Sequence, residues 1–132
     1  MTRFRVVLVL LLLAACNGSP TSPRETARDG RWAGDNACLD LRQASTSTLR
    51  VGCGHGEFQA IAIRADGTFE VEGTYRIEVG PISRDPAPPA HYSGTLTNST
   101  LTLTVTPSVS TIPPATYRLQ FNPNANCGPA CV

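Results

Sequence analysis

The feature that most restricts this fold is a period of two. Across residues 69–79, Phe69, Val71, Tyr75, Ile77 and Val79 share one face of an extended segment, and Glu70, Glu72, Thr74, Arg76 and Glu78 take the other. Successive side chains of a strand point to opposite sides of the sheet, so this alternation predicts a strand with one buried face. Eleven residues is long for a strand, and Gly73 near its middle predicts a bend where the sheet curves over a core.

The same reading extends along the chain. Residues 60–64 carry Ile61 and Ile63 on one side, and Ala65-Asp66-Gly67 suits a three-residue hairpin with Gly67 in the left-handed conformation. Pairing Arg64 with Thr68 would set Ile63 opposite Phe69 and Ile61 opposite Val71, all on one face. A second hairpin joins Tyr92, Gly94 and Leu96 to Leu101, Leu103 and Val105. A turn at Asn98-Ser99 would place Leu96 opposite Leu101 and Gly94 opposite Leu103. Residues 49–53, with Leu49 and Val51 inward, and 116–121, with Tyr117, Leu119 and Phe121 inward, predict two more strands. The opening strand is placed at residues 32–42, with Leu39 and Leu41 inward.

Beyond residue 29 no segment has helical spacing. Seven or eight strands joined by short turns predict an all-β chain, an antiparallel meander closed or nearly closed as a small β-barrel, because closure removes exposed edges. Two longer connections carry proline, at residues 80–90 and 107–114.

The first sixteen residues stand apart from this fold. Arg3 and Arg5 precede an unbroken apolar run at residues 6–13, which ends in Ala14, Ala15 and Cys16. Spanning a bilayer takes about 20 apolar residues, so the run is too short for that. Leu13-Ala14-Ala15-Cys16 resembles the lipobox of bacterial lipoproteins. The resemblance implies cleavage after Ala15, acyl chains on Cys16 as the membrane anchor, and a place in the cell envelope. Asn17 stands where an aspartate would imply retention at the inner membrane, so the outer membrane is the implied destination. Residues 1–15 are then a signal peptide and residues 16–29 a lipidated tether rich in Ser, Pro and Thr. Residues 30–132 form the β-barrel domain.

All 11 basic residues are arginine, and the mature chain would keep 9 of them against 10 Asp and Glu, a net charge near −1. That balance argues against nucleic acid as a partner held by bulk charge. Four cysteines remain after Cys16. An even number in an exported small domain predicts two disulfides among Cys38, Cys53, Cys127 and Cys131. With Leu39 and Val51 both inward, a regular ladder points Cys38 outward and Cys53 inward. The reading therefore favours the C-terminal cysteines being tied back to Cys38 and Cys53. Cys38, Cys53 and His55 as a metal set is the alternative; thiols in an oxidising compartment are ordinarily bridged, so no metal is expected.

Catalytic groups are few. His55 lies in Gly52-Cys53-Gly54-His55-Gly56, where the glycines predict a tight bend, and His91 follows Pro88-Pro89-Ala90 at a strand entry. Neither has a sequence neighbour forming a relay, and no nucleophile elbow, phosphate loop or zinc-protease motif occurs. Glu70, Glu72 and Glu78 fall on the solvated face with Arg76, which suggests cross-strand ion pairs. No catalytic residue, cofactor or enzymatic activity is assigned.

Gly30-Arg31-Trp32 is similar to the glycine-x-tryptophan signature of lipocalins, which implies a tryptophan plugging one end of a barrel. Gly30-x-Trp32 followed by Cys38-Leu39-x-Leu41 and Cys53 looks like the start of bacterial protease-inhibitor barrels, which implies a Cys38–Cys53 bridge. The wider layout also looks like small bacterial lipoproteins of similar strand plan. Three roles follow. The first is a binding module for a small apolar ligand, with Trp32, Tyr75, Tyr92 and Tyr117 facing it. The second is a protein-docking or inhibitor role carried by the two proline-bearing loops, whose stiffness lowers the entropy lost on docking. The third and least supported is a hydrolytic enzyme. The reading adopted is a membrane-anchored, non-enzymatic binding or interaction protein.

Overall fold

The computed structural model describes residues 26–78 and 86–128. The expected signal peptide (residues 1–15), Cys16, Val79 and Cys131 lie outside the described residues. Among the described residues eight strands follow one another without a helix: β1 (Gly30–Gly34), β2 (Ala37–Leu41), β3 (Ser47–Val51), β4 (Gly54–Phe58), β5 (Thr68–Ile77), β6 (Pro89–Thr97), β7 (Thr100–Pro107) and β8 (Ala115–Phe121). Each pairs antiparallel with the next, and β8 returns to β1 through Trp32 with Phe121 and Ala33 with Gln120. The sheet is a closed eight-stranded meander barrel, as the alternation predicts.

The hairpin of β6 and β7 has the expected register, with Leu96 opposite Leu101 and Gly94 opposite Leu103. Asn98 and Ser99 both have positive φ, the conformation a two-residue turn needs to match strand twist. β3 and β8 lie close to their expected places, and Leu39 pairs with Leu49, one inward position from Val51.

Three expectations are corrected. The opening strand is not continuous but is a hairpin. Asp35 and Asn36 take positive φ, which short polar side chains tolerate, and the chain reverses there so that Trp32 faces Leu39. Residues 60–64 form no strand. The turn itself is present, with Gly67 at φ 83° and Arg64 N–H donating to Thr68 O at 2.8 Å. The segment then leaves the sheet, Ile61 N–H donates to the Gln43 side chain, and Ile61 and Ile63 are buried over the barrel end. The partner of β5 is instead β4, which the sequence reading took for a bend around His55.

The interior is filled by inward side chains. Leu39, Leu41, Leu49, Leu101, Leu103, Leu119 and Tyr92 are fully buried, and each buried leucine contributes roughly 1.5–3 kcal/mol from area removed from water. Packing starts before Gly30. Ala27 is buried, Asp29 accepts from Gln43 N–H, and Trp32 Nε1–H donates to Arg28 O at 2.8 Å. Ala27, Arg28 and Asp29 thus pack against the barrel ahead of β1.

Candidate functional site

The barrel has two unlike ends. The chain enters at one, where Trp32 meets Phe121 edge to face at 5.6 Å and Arg28 stacks over the Phe121 ring. Ile61, Ile63, Leu96 and the turn at Asn98-Ser99 complete that end. The other carries the turns at Asp35-Asn36 and Gly52-Cys53 and the connections that follow β5 and β7.

The aromatics named as candidate ligand contacts are packed into the interior, Trp32 at the chain-entry end. Trp32, Tyr75 and Tyr92 are buried, and Tyr117 is half-buried. Inward glycines make their room. Across successive seams Gly56 pairs with Tyr75, Phe58 with Gly73, and Phe69 with Gly94. A Cβ on Gly54 would overlap the Tyr75 hydroxyl, and one on Gly56 would overlap the Tyr92 hydroxyl. Tyr92 leans on Phe58 with ring centroids 4.6 Å apart and donates its hydroxyl hydrogen to Thr74 O at 2.6 Å. Burial pushes the Tyr75 phenol up to about 12, with the neighbouring Tyr117 hydroxyl adding to the effect. The Tyr92 phenol is raised by burial and then by Tyr75 and Glu57, and that of Tyr117 by burial against a hydrogen bond from Tyr75. These groups fill the barrel and stay protonated.

The exposed apolar surface lies at the loop end. A groove of about 410 Å³ is lined by Arg76, Ile77, Pro86, Pro88, Val109 and Ile112. Ile77 shares the inward parity of Tyr75 but is 40 % exposed; its β4 partner Gly54 carries no side chain, and on the other side it lies beyond Thr74, the partner of Pro89 at the start of β6. Ile112 N–H donates to Val109 O, and Ser108 N–H donates to Pro89 O, which ties the β7–β8 connection to the start of β6. Tyr75 N–H likewise donates to Pro88 O.

Both histidines meet carboxylates on the outer face. His55 Nε2 lies 3.1 Å from Glu57 Oε1, two residues along the same strand. His91 hydrogen-bonds Glu72 across the β5–β6 seam, with Glu70 3.7 Å from its other nitrogen and Arg64 paired to Glu70. The Glu72 hydrogen bond raises the His91 pKa, and Arg64 lowers that of Glu70. Arg76 pairs with Glu78 on its own strand, not across strands. A sheet's convex face leaves such pairs open to water.

The C-terminal segment folds back along the outside of β1. Asn122 N–H donates to Arg31 O, and Arg31 donates to both Asp40 oxygens at 2.8 and 3.2 Å and to Ala125 O at 3.0 Å. That arginine holds the Asp40 carboxyl below the usual range. The segment ends in a Cys38–Cys127 disulfide with Cα atoms 5.8 Å apart. This is one of the two links favoured from strand parity, and it replaces the Cys38–Cys53 bridge that the inhibitor resemblance implies. Cys53 is also disulfide-bonded, to a partner outside the described residues, so neither thiol is open to a metal.

Comparison of the chain with protein-family models, curated proteins and solved structures finds no match.

Proposed function

We propose that this is a cell-envelope lipoprotein held by acyl chains on Cys16, whose barrel is a rigid, non-enzymatic support for a protein-docking surface at its loop end. One observation carries the docking reading. The interior is occupied by the chain's own side chains, while Ile77, Val109 and Ile112 form an apolar groove between two proline-bearing connections. Small-ligand sites are concave, apolar and enclose most of the ligand; the packing of Tyr92 and Phe58 supports a solid core instead. An inhibitor of a periplasmic protease or lysozyme is the special case in which the docked protein is a hydrolase. The anchor rests on the apolar run ending in Ala15-Cys16, and two or more acyl chains give stable membrane attachment where one does not.

Two cell experiments test the two parts. Cys16→Ser should move the protein from the membrane to the soluble fraction, and continued membrane partition would refute the anchor. A photo-crosslinking residue at position 111, beside Ile112, should give a discrete protein adduct that Ile77→Asp removes. The same adduct pattern in the presence of Ile77→Asp would refute docking through the groove.

A further inference from the structure

The groove continues into a row of basic side chains. Arg50 on β3, His55 on β4 and Arg76 on β5 occupy consecutive register positions, Arg50 opposite His55 and His55 opposite Arg76. Their strand neighbours Leu49, Gly56 and Tyr75 point inward, so all three side chains project outward in one rank, and Arg76 also lines the groove. Adjacent strands lie about 4.8 Å apart, so Arg50 and Arg76 stand roughly 10 Å from each other on either side of His55.

The rank is incompletely neutralised. Asp40 is taken by the two hydrogen bonds from Arg31, and Arg50 approaches it only to 3.9 Å. Arg76 gives Nε–H and one terminal nitrogen to a single oxygen of Glu78, at 3.2 and 2.9 Å. A guanidinium carries five N–H donors in a planar fork, so both arginines keep donors for an incoming carboxylate. His55 between them is engaged by Glu57.

We propose that the groove and the Arg50–His55–Arg76 rank together bind an extended segment of a partner protein in which an acidic side chain sits beside apolar ones. The inference rests on the docking reading above and gives the partner its chemistry. Apolar side chains of the segment seat against Ile77, Val109 and Ile112, and its carboxylate takes the free donors of Arg76 and Arg50.

Random peptides displayed on phage, selected against the full lipidated chain in detergent micelles, test this. Selected sequences should pair Asp or Glu with Leu, Ile, Val or Phe. Their binding should fall by at least about 10-fold with Ile77→Asp, or with Ile112→Asp should the first variant not fold. Arg76→Glu should turn the selected preference from acidic to basic residues. Peptides that bind through Ile77 with no acidic preference would overturn this inference and leave docking at the groove intact. No enrichment over the Ile77→Asp protein would overturn both. Dimerisation of the chain, or uptake of phospholipid from the micelle, abolished by Ile77→Asp, would identify a different occupant and also overturn it.

Discussion

Substituting Gly56 by alanine tests whether the barrel is solid. The new Cβ would overlap the Tyr92 hydroxyl and stand 3.2 Å from its Cζ and 3.1 Å from Tyr75 Cδ2. A flexible side chain would swing away, but Tyr92 is fully buried, stacked on Phe58 and hydrogen-bonded to Thr74 O. Overpacking of this kind costs about 1–3 kcal/mol. Displacing the hydroxyl from Thr74 O adds about 1 kcal/mol for a lost internal hydrogen bond. Gly56→Ala should therefore destabilise by about 2–4 kcal/mol, read as a lower urea midpoint at unchanged slope with both disulfides intact. Tyr92→Phe alone should cost about 1 kcal/mol. In the double variant the offending oxygen is gone and the closer approaches that remain are 3.2 Å to the position-92 ring and 3.1 Å to Tyr75 Cδ2. The two losses should then be sub-additive by at least about 1 kcal/mol, a coupling that double-mutant cycles resolve for residues in contact. Additive losses would refute the argument, because they would mean that the ring has room to move and that the interior holds free volume.

Two further outcomes follow from the surface. Replacing both Cys38 and Cys127 by alanine frees a loop of sequence separation 89 and should lower stability by up to about 4–5 kcal/mol on chain-entropy grounds; equal urea midpoints for the variant and the parent would show that the C-terminal segment adds nothing. His91, raised by its hydrogen bond to Glu72, contributes stability that is fully present below its unfolded value near 6.5 and is lost as pH rises through the higher folded value. NMR titration should therefore place His91 above the free imidazole and Glu72→Gln should bring it down; an unmoved His91 would sink the pairing.

What the sequence made legible, and what it hid, divide along a physical line. Parity survives burial, so the inward sets of β5 to β8 and the register of the Asn98-Ser99 hairpin were readable from alternation alone. Turn chemistry was readable where the residues are familiar for it, as at Gly67, and was missed at Asp35-Asn36, where the polar pair lay inside what looked like one strand. β4 was hidden because its inward residues at 54 and 56 are glycines, which carry no hydrophobic signal. The apolar mass for those positions is supplied from β5 and β6 by Tyr75 and Tyr92. Residues 60–64 misled in the opposite sense. Ile61 and Ile63 alternate because they cap the barrel end, a use of hydrophobic surface that mimics a strand. The loop-end groove was half visible, through its prolines, but the exposure of Ile77 depends on β5 running past the start of β6 at Pro89, a relation of two strand lengths that no local pattern records.

The same glycine–aromatic exchange bears on what the barrel is for. A closed sheet of eight strands leaves an interior just wide enough for side chains or one small ligand, so the choice between them is made by the inward residues. Here each inward glycine of β4, β5 and β6 makes way for a ring from an adjoining strand, and alternating small with large residues is how small barrels fill their taper. Had the wall been lined with leucine at Gly54 and Gly56, Tyr75 and Tyr92 would have had to turn elsewhere. Their hydroxyls instead end inside the wall, Tyr92 on Thr74 O and Tyr75 toward Tyr117, beneath the loops. Such packing resists deformation, so the positions of Ile77 and Arg76 at the end of β5 are set by the strands that hold them. On the docking reading proposed above, a fixed rim with Ile77, Ile112 and Arg76 would cost a partner little reorganisation, the condition under which a groove of this size would bind usefully.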